Sequence, residues 1–240
     1  MANTHDPHTN RHRREPRTLR RADTAKSAVA VLGLGRFGSA LAKELMHTGA
    51  EVLGIDHRPE VVQAHNGLLT HVVTADATQE EVLRQLGVPE FQTAVVGIGS
   101  TLEASILTTS MLMRFGIENL WAKAVSDAHS TILEQLGVEH IVHPEHDMGR
   151  RVAHLVRGRM QDFMPVDNNF VLVRTFPPRF LVGVSLGQSN LRKKHDVTVV
   201  AAKPVGGEWT HATTDTVLKA DDLILVSGSP HATETFAQIE

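Results

Sequence analysis

Gly33, Gly35 and Gly38 stand in G-x-G-x-x-G spacing within VLGLGRFG, residues 31–38, and an apolar run leads straight into them. Between a strand and a helix, such a loop binds phosphate. The first glycine lets the chain turn sharply, the second lets backbone come close to a phosphate, and the third lets the helix pack tightly on the strand. The helix start adds unpaired N–H groups and about half a positive charge. Asp56 ends the next apolar segment, 23 positions after Gly33, close to the roughly 20 expected of an acid that binds a ribose hydroxyl. An adenine-nucleotide site is therefore expected. Asp56 would repel a ribose 2′-phosphate, which speaks against NADP, although Arg58 nearby speaks the other way. Arg36, inside the loop, suits a ligand with more phosphate than a pyrophosphate, such as ATP, which it could grip bidentately. The alternative is an Arg36 side chain turned to solvent.

The elements that must carry these residues alternate regularly. SAVAVLG, AEVLGID, HVVTAD, TAVVGIG, NLWAKAV and EHIVHP read as strands, and helical spacing fills the intervals between them. Gly49 stops the first helix, Pro59 lies near the start of the second, and Thr78 begins the third. Such alternation predicts an α/β, Rossmann-like, doubly wound parallel sheet. After a helix opened by Pro144 the rhythm breaks. NFVLVRTF, FLVGVSL, DVTVVAAKP and DDLILVSG read as strands, with one helical stretch near QSNLRKKH and Pro165 close to the junction. The division expected is a basic tail over 1–26, a nucleotide-binding domain over 27–160, and a small α+β domain over 161–240.

The composition narrows the chemistry. The 240 residues contain no cysteine, which excludes thiol catalysis, disulfides and cysteine-bound zinc. Tyrosine is absent too, which removes the tyrosine–lysine acid/base pair of many short-chain dehydrogenases. A net charge of −3 gives no argument for nucleic acid. The tail has seven basic against three acidic residues, a formal +4, which leaves −7 for the rest. With little to bury, the tail is expected to be a solvated arm; the sharper reading is an arm drawn to anionic lipid or an acidic partner. No stretch reaches the roughly 18 apolar residues of a membrane helix, and the start lacks a secretory h-region, so a cytoplasmic protein is expected.

VAVLGLGRFGSALAKEL, TADAT, LTTSMLMRFGIENLWAKA, ILEQLG and IVHPEHDMG together resemble the RCK (regulator of conductance of potassium) domain family. They are most similar to the cytosolic subunits of Ktr/Trk-type potassium uptake systems, strongly over residues 27–160 and more weakly over 161–240. The resemblance implies a regulatory subunit rather than an enzyme. It implies homo-oligomers, often an octameric ring, at the inner face of the plasma membrane under a potassium-translocating partner. ATP and ADP would bind one cleft and set the ring's shape. Gly33, Gly35 and Gly38 would cradle phosphate, Arg36 would reach a γ-phosphate, and Asp56 would take the ribose. Asp76 would border the adenine. Phe37, His57, Ala77, Gly99 and Lys123 complete the candidate nucleotide contacts. Glu134 matches a glutamate that helps hold a divalent cation, magnesium or calcium, between neighbouring sites. The family often has asparagine where Asp76 stands and lysine where His146 stands. Its second domain can bind cyclic di-AMP, and Asn190 and Arg192 fall in that region.

The helix containing LEASILTTSMLMRF is apolar all round its axis, through Leu102, Ile106, Leu107, Met111, Leu112, Met113 and Phe115. A helix apolar on every side is covered on every side, by the sheet and by a second chain or a crowded domain edge. Three other patterns are weak. GVSLG around Ser185 copies a hydrolase motif in a domain too small for that fold. His143 and His146 are three apart, but Pro144 between them starts a helix, so they need not share a face. The run RKKH, Arg192 to His195, is read as a solvated helix face. Two rival readings of the cleft stay open: an NAD-dependent dehydrogenase and an NAD-sensing regulator.

Overall fold

The computed structural model describes residues 28–156 and 160–239; the basic tail lies outside them. The chain divides into two compact units, one ending at His143 and the other starting at Pro144.

The first unit is a six-stranded parallel sheet of β1 (Ala28–Leu32), β2 (Glu51–Asp56), β3 (His71–Thr74), β4 (Thr93–Val96), β5 (Asn119–Lys123) and β6 (His140–Val142). The strand order is β3-β2-β1-β4-β5-β6. Helices α1 (Arg36–His47), α2 (Pro59–His65), α3 (Glu80–Gln85), α4 (Leu102–Phe115) and α5 (Asp127–Gln135) make the connections. Alternation along β1 shows why both faces are covered. Val29 and Val31 point to a core shared with Ala42, Leu41 and Leu45 of α1, whereas Ala30 and Leu32 point to a core shared with Leu83, Leu112 and Leu133 of α3, α4 and α5. A strand buried on both sides needs the unbroken apolar run AVAVL.

Helix α4 is only partly covered within this unit. Met111 and Leu112 are buried, Met113 and Phe115 pack on the core, and Leu102 and Leu107 are about half exposed, at 45% and 47%. Its buried side also carries Ser105, Thr108 and Thr109.

The second unit holds α6 (Pro144–Val156) and a five-stranded antiparallel sheet in the order β10-β9-β11-β8-β7. Its strands are β7 (Asp162–Asp167), β8 (Phe170–Thr175), β9 (Val197–Lys203), β10 (Thr210–His211) and β11 (Leu223–Gly228). Two short helices, α7 (Leu186–Ser189) and α8 (Leu191–His195), and a final α9 (Pro230–Ala237) accompany it. Arg151 of α6 grips Asp162 of β7 at 3.0 and 2.6 Å, and His154 of α6 hydrogen-bonds Glu234 of α9.

Three readings of this region change. FLVGVSL is not a strand: residues Arg179–Leu181 form a 3-10 turn, Gly183 takes φ +76°, and only isolated bridges join Val182 to Leu218 and Ser185 to Val217. QSNLRKKH is split at Asn190, which sits at φ 56° between α7 and α8. The sequence reading omitted β7 and α9. Pro165 lies within β7, where it is tolerated because β7 is an edge strand paired only to β8. No helix of the described residues is long and apolar enough to cross a membrane.

A tight junction lies where β1 turns into α1. A Cβ on Gly38 would lie 1.9 Å from the Gly33 carbonyl oxygen, whereas a Cβ on Gly35 would meet nothing within 4 Å. We expect Gly38→Ala to cost about 3 kcal/mol or more of stability, since backbone must move to admit the methyl. Gly35→Ala, at φ −67°, should cost less than about 1 kcal/mol. Urea unfolding of the two variants checks the contrast.

Candidate nucleotide site

A cleft of about 360 Å³ opens at the carboxyl ends of the first four strands. It is lined from the loop after β1 by Gly33, from the end of β2 by Ile55, Asp56 and His57, and from the loop after β3 by Ala75–Thr78. The opposite wall is Ile98, Ser100 and Thr101 after β4, with Glu103, Ala104 and Leu107 of α4. The strand order explains the position. Chain connections leave β1 toward β2 on one side and β4 toward β5 on the other, so the loops after β1 and β4 part and leave a crevice.

Glycine geometry shapes the phosphate end. Gly33 has φ +94°, and a Cβ there would strike the Ile98 amide nitrogen at 2.8 Å. Its own N–H donates to Ile55 O at 2.8 Å. Gly35 is the N-cap of α1 and brings no side-chain cap, so the leading N–H groups of the helix are left for a ligand. The open space over Gly35 is the space a phosphate would fill. Helix α4 also begins without a side-chain cap, at Thr101 on the cleft wall.

Asp56 is buried at 4% exposure and accepts four hydrogen bonds. Leu34 N–H reaches Oδ2 at 2.8 Å and Arg58 N–H reaches Oδ1 at 3.0 Å. The Arg58 guanidinium forks onto both oxygens, Nε to Oδ1 at 3.0 Å and Nη2 to Oδ2 at 3.2 Å. Burial pushes the Asp56 carboxyl upward, but the Arg58 side chain and the two backbone amides outweigh it, and the group is held below its ordinary value. Asp76 is exposed and is turned back on its own loop, accepting from Thr78 N at 2.9 Å, Thr78 Oγ1 at 2.7 Å and Gln79 Nε2 at 3.3 Å. The Thr78 hydroxyl bond, with the amide bond and the nearby His57, lowers its pKa. Thr78 thus serves Asp76, and α3 starts two residues later, at Glu80. Thr108 of α4 fastens the same loop by donating to Ala77 O at 3.1 Å.

The expected site residues fall into three groups. Gly33, Asp56, His57, Asp76 and Ala77 line the cleft together. Gly35, Arg36, Phe37 and Gly38 form the start of α1: Arg36 is exposed, while Phe37 packs into the core behind the helix. Gly99 and Lys123 meet each other at the ends of β4 and β5, where a Cβ on Gly99 would lie 3.3 Å from Lys123 Nζ. Glu134 is exposed on α5 and is not part of the cleft wall. Among the described residues, no three histidine, aspartate or glutamate side chains gather as a metal site. Sequence reasoning missed the wall made by Ser100, Thr101, Glu103, Ala104 and Leu107. The available signal was topological: GIGSTLEAS follows the strand that borders the switch point.

Elsewhere, His143 bonds Ser130 Oγ at 3.1 Å, while His146 lies beyond Pro144 in the second unit. Ser185 sits at φ −69°, ψ 144°, an unstrained conformation unlike a nucleophile elbow. A second cavity, of about 560 Å³, lies in the second unit beside Asn190, Arg192, Thr198 and Thr213.

A doubly wound sheet with an uncapped glycine-rich helix start, followed by a small antiparallel unit, defines a Rossmann-type nucleotide-binding protein of RCK architecture. The chain belongs to the family of Ktr system potassium uptake proteins: residues 29–144 match the TrkA-N domain and residues 175–239 the TrkA-C domain. It is 35% identical to Ktr system potassium uptake protein C of Bacillus subtilis (strain 168), over 85% of this chain and 93% of that one. It is 33% identical to Ktr system potassium uptake protein A of Vibrio alginolyticus, over 85% and 94%. Among solved structures, the GsuK RCK domain is similar with a TM-score of 0.62, at 15% identity over 88% of this chain and 48% of that chain. The GsuK channel bound to NAD gives the same TM-score and covers 39% of that chain. The present chain thus spans less than half the length of the GsuK chains, and the likeness to them is one of fold.

The charge of Asp56 has a pH signature. Its native pKa lies below the unfolded value, so the stabilisation is fully present above the unfolded pKa of about 3.9 and is lost as pH falls through the native value. We expect the wild type to lose melting temperature steeply below about pH 4. Asp56→Asn should start lower at pH 7 and show a flatter decline, as read by thermal melts from pH 7 to 3.

Proposed function

We propose that this chain is a nucleotide-sensing regulatory subunit of a potassium uptake system and makes no product of its own. The observation that carries the reading is the cleft itself: a loop with open space over Gly35, an uncapped helix start, and a buried carboxylate at the end of β2. The names of three relatives at 33–35% identity, Ktr system potassium uptake proteins A and C, supply the process. In this reading residues 27–160 form the nucleotide-binding RCK domain, and residues 161–240 form the RCK C-terminal ligand and dimerisation domain.

The subunits form dimers and an octameric ring against the inner face of the membrane, under a potassium-translocating partner. The half-exposed Leu102 of α4, which is not part of the cleft wall, supports a second chain at that helix. ATP and ADP compete for the cleft. Gating is a population shift, so ATP must favour one ring shape more than ADP does; equal affinity for both shapes would move nothing. The third phosphate is the only chemical difference between them. Arg36, exposed at the start of α1, supplies a guanidinium for it, in its own site or a neighbour's. A magnesium or calcium ion held by Glu134 and its counterpart in a neighbouring subunit would add to the difference. The cavity beside Asn190 and Arg192 is where cyclic di-AMP would bind.

A second reading keeps the same cleft with NAD as ligand. It is favoured by Asp56 at the ribose position and by the likeness in fold to a channel solved with NAD. An NAD-dependent oxidoreductase would need an acid/base pair converging on the nicotinamide. The titratable residues of the cleft wall are His57, Glu103, Asp56 held by Arg58, and Asp76 held by Thr78.

Calorimetric titration of wild type and Arg36→Ala with both nucleotides tests the proposal. We expect Arg36→Ala to erase the ATP preference, a loss of about tenfold or more for ATP, as for one charge-assisted contact. ADP binding should stay within about twofold. Equal losses for both nucleotides would sink the role given to Arg36, and NAD binding without ADP or ATP binding would favour the second reading.

A further inference from the structure

The ribose end of the cleft has an unusual occupant. A carboxylate offers about four acceptor positions. In Asp56 four donors already address them: Leu34 N–H and Arg58 Nη2 on Oδ2, and Arg58 N–H and Nε on Oδ1. In a dinucleotide fold this carboxylate accepts from the ribose 2′-hydroxyl. Here a ribose arrives to find its acceptor engaged by a bidentate guanidinium, a form of ion pair stronger and more directional than a neutral hydrogen bond. Arg58 is not itself part of the cleft wall, whereas Asp56 is. The guanidinium therefore holds the carboxylate from outside, with its side chain 43% exposed against 3% for Asp56.

We infer that Arg58 sets the ribose selectivity of the cleft by occupying the acceptor positions of Asp56, so that a 2′-hydroxyl contributes little to binding. This rests on the reading of the cleft as an adenine-nucleotide site and adds a residue that the glycine loop and Asp56 alone do not supply. Two physical consequences follow. A nucleotide lacking the 2′-hydroxyl leaves no buried acceptor unpaired, so it suffers no penalty. Removing the guanidinium frees acceptors on a carboxylate that is buried and charged, and the 2′-hydroxyl becomes the best donor to fill them. Arg58 is thus a specificity-determining residue that acts through Asp56.

The test is calorimetric titration of the full chain with ADP and with 2′-deoxy-ADP, on wild type, Arg58→Ala and Arg58→Lys. Melting curves on the same samples establish that each is folded. For wild type the two affinities should agree within about twofold; in Arg58→Ala, ADP should bind about three- to tenfold tighter than in wild type while 2′-deoxy-ADP does not move. Arg58→Lys keeps the charge but cannot fork, so its ratio should fall between the two and carries the test if Arg58→Ala does not fold. A wild-type preference for ADP of about tenfold or more, or a ratio unchanged by both substitutions, overturns the role of Arg58 alone. A wild type that binds neither nucleotide overturns the reading of the cleft, and this inference with it.

Discussion

The carbonyl oxygen of Gly33 is a crowded point of the first unit. A Cβ on Gly38 would come within 1.9 Å of it and one on Gly97 within 2.8 Å. The end of β1, the start of α1 and the end of β4 are thus pressed against a single backbone atom. That contact aims α1, and with it the uncapped helix start, across the carboxyl ends of the strands. Shape here comes from what side chains are missing, since any methyl at these positions would push the helix off the sheet. Gly35 differs in kind. A Cβ there would meet nothing within 4 Å, so the fold itself does not require its missing side chain.

Asp56 connects that junction to the neighbouring loops. Its Oδ2 accepts from Leu34, within the glycine loop, and its backbone carbonyl accepts from Ala75, which opens the loop after β3. One residue therefore ties together the loops after β1, β2 and β3. Arg58 makes this tie affordable by countering a charge that would otherwise be buried alone. Opposite, Thr108 donates to the Ala77 carbonyl, which ties α4 to the loop after β3. The same helix carries Leu107 on the cleft wall and the half-exposed Leu102. The cleft and the half-exposed Leu102 thus share one helix.

How much of this was legible varies with the physics of each element. The parallel sheet announced itself because strands buried on both faces must be continuous apolar runs, as AVAVL and TAVV are. The glycine loop and Asp56 were readable because their roles depend on local spacing. The α4 wall of the cleft was not, since Ser100, Thr101 and Glu103 join the site only through the order in which the strands pair. In the second unit Gly183 broke an apparent strand and Pro165 disguised a real one. Helix α9 carried its signal openly: Ser229 caps it by accepting from Ala232 N–H at 3.2 Å, and Pro230 follows at the first position. The fork of Arg58 onto Asp56 lay in plain view two residues apart, yet spacing cannot say whether such neighbours pair or part.

The borders of the antiparallel sheet have a consequence for how copies of this chain can meet. One border, β10, is two residues long, and the other, β7, has a proline at its centre and aspartates at both ends. Neither offers the long row of free amides and carbonyls that would template a foreign strand. Such borders guard against edge-to-edge fusion into fibrils. Any contact made along these borders is left to side chains, which can be made and unmade.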